Sequence, residues 1–156
     1  MAKRPLPPVG FRFNVNFFYG GTSDPFTLRD GPDACFQSIS GISVEFESET
    51  VPDGANARYV QKLPKKPIFP NLVLKRGLLM GSEIFNWVNG MLTHSNVEFQ
   101  PLNVEVNLIN ESGDSLLNVL FVNAWPSKWS ISDFNAMESS VVIETLELTY
   151  QYFQIK

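Results

Sequence analysis

His94 is the single histidine of the chain, and Ser95 follows it. A nucleophile and base working near neutral pH would have to be built there, with Asp114 or Asp133 as the orienting acid. Nothing nearby has the glycine spacing of a nucleophile elbow. A surface or helix-capping histidine is the simpler reading. Cys35 is also single. It excludes an intrachain disulfide framework and a multi-cysteine metal site, and beside Phe36 it reads as a buried, inert thiol. Glu45, Glu47 and Glu49 share one face of an alternating run, and paired carboxylates hold Ca²⁺. They lack the glycine loop and carbonyl ligands of a dedicated site. Gly77 and Gly81 have no Lys-Ser/Thr partner for a phosphate loop. Asn110-Glu111-Ser112 fits a glycosylation acceptor, but no secretion signal accompanies it. The residues call for no enzyme, no cofactor and no metal.

Charge placement is more informative than charge chemistry. Glu45, Glu47, Glu49 and Asp53 fall within nine residues. Arg58, Lys62, Lys65, Lys66, Lys75 and Arg76 follow without an acid among them, and they are half of the chain's 12 Lys and Arg. A solvated loop, a nucleic-acid patch and a self-association surface all fit such a run. Aromatic interleaving is thin (Tyr59, Phe69), and the net charge of -4 disfavours specific nucleic-acid binding. Acidic and basic patches on one subunit suit a head-to-tail contact, which builds rings or open filaments. Charged residues are only 18% of the chain, against roughly 25% for ordinary soluble domains. With 13 Phe, apolar surface must go into a core or under a partner.

The elements that would carry these groups are mostly strands. A chain of 156 residues fits one domain spanning the whole length. Phe11, Phe13, Val15, Phe17 and Tyr19 alternate with Arg12, Asn14 and Asn16. Ile42, Val44 and Phe46 alternate with Ser43, Glu45, Glu47 and Glu49. Leu102, Val104, Val106 and Leu108 alternate with Asn103, Glu105 and Asn107, and Leu117, Val119 and Phe121 continue the pattern. Leu146, Leu148, Tyr150 and Tyr152 alternate with Glu147, Thr149 and Gln151. Each run predicts a strand with one apolar face, as in antiparallel sheets. Asn110–Ser115 (NESGDS) has hairpin-turn chemistry and predicts that its flanking strands pair. Ile84, Phe85, Trp87, Val88, Met91 and Leu92 have helical spacing, with Ser82 as cap and Glu83 in the first turn. That helix is long enough to plug one end of a barrel. The stretch 48–70, with Pro52, Gly54, Pro64, Pro67 and Pro70, predicts a long excursion outside the core. Trp125, Pro126 and Trp129 read as core or corner residues. No apolar run approaches the length that would span a membrane as a helix, so insertion by a single subunit is not expected.

One ordered series of segments is distinctive. Phe11-Arg12-Phe13 opens the first strand. Phe36–Gly41 (FQSISG), Val51–Asn56 (VPDGAN) and Tyr59-Val60 follow. Then come Lys62–Gly77 (KLPKKPIFPNLVLKRG), Trp87-Val88-Asn89, Asn123–Ser130 (NAWPSKWS) and Glu144–Phe153 (ETLELTYQYF). The series resembles the inner tube protein of contractile phage tails, and still more closely the tube subunits of phage-tail-like contractile injection systems. The resemblance runs from about Phe11 to Phe153. Ala55 departs from it, since many relatives carry a second glycine there.

The resemblance implies a mainly β fold, a small antiparallel β-barrel or sandwich with one short α-helix, similar to the hemolysin-coregulated protein of type VI secretion. It implies six-subunit rings stacked into a hollow tube inside a contractile sheath, with baseplate or hub and tube cap proteins as further partners. Cargo or DNA would pass through the lumen. No enzymatic role goes with the family. Assembly would take place in the bacterial cytoplasm, before the subunit becomes part of an extracellular or virion-like particle. The excursion would contact neighbouring subunits through Glu49, Asp53, Arg58, Tyr59, Lys62, Lys65 and Lys66. Either Asn103, Glu105 and Asn107 or Glu147, Thr149 and Gln151 would line the lumen. A tube-initiator or baseplate-adaptor paralogue shares the same features. A monomeric β-barrel binding a small apolar ligand is the alternative of another class.

Overall fold

Alternating side chains settle into strands where the apolar set can turn to one side and the polar set to the other. The computed structural model describes residues 12–20, 27–28, 35–52, 54, 59–93, 100–137 and 140–156. The elements are β1 (Arg12–Phe18), β2 (Thr27–Leu28), β3 (Ser38–Ser40), β4 (Glu45–Val51), β5 (Gln61–Ile68), β6 (Leu72–Gly77), α1 (Glu83–Thr93), β7 (Leu102–Ile109), β8 (Ser115–Ile131), β9 (Ile143–Thr149) and β10 (Tyr152–Ile155). The main sheet has the order β2-β1-β7-β8-β9-β6-β3, with β10 paired to β8. Every described pairing is antiparallel. The predicted NESGDS hairpin joins β7 to β8, closed by Asn110 and Asp114.

β8 is 17 residues long and serves two layers. Its first part pairs with β7 and β10, and its second part with β9. Between them Asn123 takes a positive φ of 53°. That conformation suits Asn better than most residues, and it shifts the strand's alternation by one: Val119 and Phe121 are buried, then Ala124. The neighbouring strand shifts at the same level. Leu146, Leu148 and Tyr150 are buried, after which Phe153 packs inward and Tyr152 is exposed. Asn123 Nδ2 donates to Gln151 Oε1 at 3.0 Å, Asn123 N to Asn103 Oδ1 at 3.1 Å, and Gln151 N to Val122 O at 3.0 Å. Such a bend lets strands pass from one layer to the other. The continuous strand expected over Glu144–Phe153 is therefore broken, and Tyr152 does not take the apolar side.

Both layers turn their apolar faces to one core. Val15, Phe17, Leu102, Val104, Val106, Val119 and Phe121 come from one, and Leu72, Leu74, Leu146 and Leu148 from the other. Among the described residues the barrel suggested by the sequence does not close, because β2 and β3 end the sheet order without pairing to each other. α1 packs against both layers. Ile84 and Val88 enter the core, Trp87 packs edge-on to Phe17 at 6.2 Å, and Phe85 to Trp129 at 5.7 Å. Ser82 Oγ accepts from Phe85 N at 3.0 Å and so caps the helix.

Arg76, counted above with the basic run, is instead 3% exposed. Leu72, Leu74 and Arg76 share the inward side of β6, and Arg76 meets the equally buried Glu144 of β9. Arg76 Nε donates to Glu144 Oε2 at 2.7 Å and Nη2 to Ser82 Oγ at 2.7 Å. Trp129 Nε1 donates to Glu144 Oε1 at 2.7 Å, and the guanidinium lies 5.3 Å from the Phe36 ring centre. Removing one charge of a buried pair strands the other, at a cost of about 3–5 kcal/mol. Arg76→Met is expected to lower unfolding stability by about that amount. Arg76→Met with Glu144→Leu should recover much of it, as read by chemical denaturation.

Candidate interaction surfaces

Among the described residues β4 and β5 pair only with each other and form a separate two-stranded sheet. Every residue of both strands is exposed. The excursion expected at 48–70 is thus an ordered hairpin arm that begins earlier and is not an irregular loop. The strand expected around Ile42–Glu49 belongs to this arm and is exposed throughout β4: Phe46 is 63% exposed and Leu63 50%. Alternation assigns each of its residues a face, but among the described residues no second layer lies beneath either face. An isolated hairpin is marginally stable in water, and contiguous exposed apolar surface marks a contact site.

Register sorts the arm's chemistry. Glu49 lies opposite Leu63, Glu45 opposite Ile68, Thr50 opposite Lys62, Ser48 opposite Pro64 and Phe46 opposite Pro67. Glu45, Glu47 and Glu49 therefore share a face with Leu63 and Ile68, and Lys62 shares the other with Phe46. Lys65 and Lys66 fall at an irregularity beside Glu47. Among the described residues these six charges form no ion pair with one another. Pro64 and Pro67 have no N–H, which blunts the free edge of β5, while β4 keeps its donors. Glu49, Tyr59, Lys62, Lys65 and Lys66 are thus brought together on or beside one arm. Asp53 and Arg58 lie outside the described residues.

The arm's root is held tightly. Gly41 has φ 91°, and a Cβ there would overlap the carbonyl oxygen of Asn71 where the entering and leaving chains cross. Thr149 Oγ1 donates to Asn71 Oδ1 at 3.1 Å, and Asn71 Nδ2 to Ser127 Oγ at 3.4 Å. Phe69 packs against Tyr150 and Phe153 with centroids at 6.0 and 5.5 Å. The Tyr150 hydroxyl is buried without a hydrogen-bond partner among the described residues, and burial pushes its pKa up.

The outer faces of the two layers differ. On one, Asn14, Asn107 and Asn118 stand in a row across β1, β7 and β8, with Asn16 opposite Glu105. Partial burial alone would raise the Glu105 pKa. Hydrogen bonds from Asn118, Asn16 and Asn107, with the charge of Lys156, outweigh burial and hold the carboxyl below its ordinary range. On the other face, Lys75, Thr145 and Ser130 form a row over β6, β9 and β8 beside Glu147 and Lys128. Asn103, Glu105 and Asn107 therefore lie on one outer face, and Glu147 and Thr149 on the opposite one. Gln151 sits at the bend between them, bonded to Asn123.

No arrangement for catalysis emerges among the described residues. His94 lies outside them. Asp114 is tied into its turn by Asn110, and Asp133 is exposed. Cys35, expected to be buried, is exposed, while its neighbour Phe36 is the residue that packs against the core. Among the described residues no group of three or more His, Cys, Asp or Glu is placed to hold a metal. None of their helices is long and apolar enough to cross a membrane.

Residues 9–154 match the family model described as T4-like virus tail tube protein gp19. No curated protein matches the chain. Among solved structures, the fold is similar to a chain of the anti-feeding prophage baseplate, with TM-score 0.81, 29% identity and 97% of each chain covered. It is similar to a chain of an extracellular contractile injection system, the PVC sheath-tube complex, with TM-score 0.74, 20% identity, and 99% of this chain and 93% of that one covered. It is also similar in fold to an Hcp protein, with TM-score 0.54, 12% identity, and 92% and 91% covered.

Gly41→Ala should destabilise or misdirect the arm, lowering the melting temperature more than Gly54→Ala, where a Cβ meets nothing. Glu105 contributes stability in its ionised form, which is lost as the pH falls through its lowered pKa, below about 4.5. Acid titration of unfolding stability should therefore show a steeper loss in the natural chain than in Glu105→Gln.

Proposed function

The chain belongs to the T4-like virus tail tube protein family, and on that premise we propose that it builds six-subunit rings which stack into a hollow tube. It is a structural tube subunit of a contractile injection machine. The observation that carries the assembly reading is the arm. A two-stranded sheet with Phe46, Leu63 and Ile68 exposed gains a covered surface against another chain. Apolar burial there supplies the affinity, at about 25 cal/mol per Å² before association costs. Glu49, Lys62, Lys65 and Lys66 at the rim set register, since exposed pairs are worth about 0–1 kcal/mol each; Tyr59, Asp53 and Arg58 belong to the same contact. A contractile sheath protein, a baseplate or hub and a tube cap are the further partners, and the role is not enzymatic. One outer face, that of Glu105 or that of Glu147, lines the lumen through which cargo passes. The subunit assembles in the bacterial cytoplasm and ends in an extracellular or virion-like particle.

A tube-initiator or baseplate-adaptor role is the second reading. It is favoured by the 29% identity to a chain from a baseplate. The two readings part in solution. A main tube subunit forms long hollow tubes, and an adaptor forms single rings.

Negative-stain electron microscopy of the purified protein should show sixfold rings or tubes built from them. A clean monomer at high concentration, with no particle even when baseplate is added, would overturn the reading. Lys62→Glu, Lys65→Glu and Lys66→Glu together should prevent tubes while leaving the circular dichroism spectrum unchanged.

A further inference from the structure

The outer side of β1, β7 and β8 gathers amide groups around one carboxylate. Glu105 lies directly opposite Asn16 of β1 and two residues from Asn107, which is opposite Asn118 of β8. Asn118 Nδ2 donates to Glu105 Oε1 at 2.8 Å, and the amides of Asn16 and Asn107 hydrogen-bond the same carboxylate. Amides from three strands thus end within hydrogen-bond reach of one acid. Asn16 is only 9% exposed, although Val15 and Phe17 on either side of it turn the other way, into the core. Its Oδ1 and that of Asn118 are buried and accept no hydrogen bond among the described residues. A buried acceptor left without a donor is costly, and here two of them belong to side chains that hold the same carboxylate.

A half-turn about the last side-chain bond of an asparagine exchanges its nitrogen for its oxygen. With the nitrogens inward, the amides serve the Glu105 carboxylate and two oxygens are stranded. With the oxygens inward, one carboxylate and three amide oxygens converge from neighbouring strands. That is an all-oxygen donor set of the kind Ca²⁺ takes. Neighbouring ligands about 2.4 Å from Ca²⁺ in a pentagonal plane lie about 2.8 Å apart, the separation found between the Asn118 amide and Glu105. Mg²⁺ demands a stricter octahedron and gives up its water reluctantly, so it suits these amides less well. We infer that Asn16, Glu105, Asn107 and Asn118 form a Ca²⁺ site. With one full charge among the ligands, its affinity falls in the range of extracellular modules, about 10⁻⁴–10⁻³ M. The charge of Lys156 already acts on Glu105 and competes with the ion. Such a site belongs to the folded subunit, needs no subunit contact, and is the same whichever outer face lines the lumen.

Equilibrium dialysis of the full chain against Ca²⁺ at fixed ionic strength tests it. The natural chain should take up a single ion with a Kd of about 1 mM or tighter. Glu105→Gln should weaken that uptake at least about tenfold, and Asn16→Asp, which adds a ligand charge, should tighten it at least about tenfold. Lys156→Gln should also tighten it, because a competing charge is gone. Glu111→Gln, in the exposed turn between β7 and β8, should leave it unchanged. Circular dichroism checks that each variant folds. If Glu105→Gln does not, Asn16→Asp decides, since unfolding does not tighten a site. No uptake at about 10 mM Ca²⁺, uptake undiminished in Glu105→Gln, Asn16→Asp binding no more tightly than the natural chain, or Mg²⁺ taken up as readily would each overturn the site.

Discussion

The ion pair between Arg76 and Glu144 is the contact on which the rest of the body depends. A charge-poor chain places two charges where water does not reach, which is tolerable only if every polar atom nearby has a partner. Ser82 and Trp129 supply those partners. β6, β9, the second part of β8 and the start of α1 thereby meet at one point, with Phe36 stacked on the guanidinium. The helix cap is part of the same network. An apolar replacement of similar volume could stabilise these elements equally well, but it would not fix the helix start to one rung of the sheet.

The arm depends on that body without sharing its core. Its root is gripped by Gly41, Asn71 and Phe69, and beyond that point its strands pair with each other and are exposed throughout. Stability is therefore uneven: the sandwich has an aromatic and aliphatic interior, while the arm relies on whatever covers Phe46, Leu63 and Ile68. An element of this kind belongs to the low-stability end of the free subunit. The prolines of β5 blunt one edge, so an exposed hairpin avoids indiscriminate pairing along that side while β4 retains its donors.

Much of this was legible in the residues. The hairpin between β7 and β8, the helix over Glu83–Thr93 and the amphipathic strands of the body follow from turn chemistry and periodicity. What periodicity does not reveal is the layer beneath a strand. Phe46 alternates as regularly as Val104, yet one is exposed and the other buried, because β4 leaves the body. Arg76 departs from the expected basic surface for a different reason. Sign and proximity grouped it with Lys62 and Lys65, whereas its own parity with Leu72 and Leu74 pointed inward. Glu144 has the same parity as Leu146 and Leu148, so two charges at inward positions could have been matched. The phase change at Tyr150 and Gln151 had no local signal beyond Asn123 on the paired strand. The choice between the Glu105 face and the Glu147 face is a property of the assembly, since both are polar sides of well-formed sheets.

The bend at Asn123 has a mechanical consequence. β8 runs through 17 residues and both layers without a break. Force applied to one layer thus reaches the other along covalent backbone rather than across a seam of hydrogen bonds. The flanking strands lie along β8 on either side of the bend, so pulling lengthwise loads their hydrogen bonds together in shear instead of opening them one by one. A body wired in this way resists compression and extension along β8 far better than peeling at β3 or β10. That anisotropy is suited to a rod whose task is to be pushed from one end.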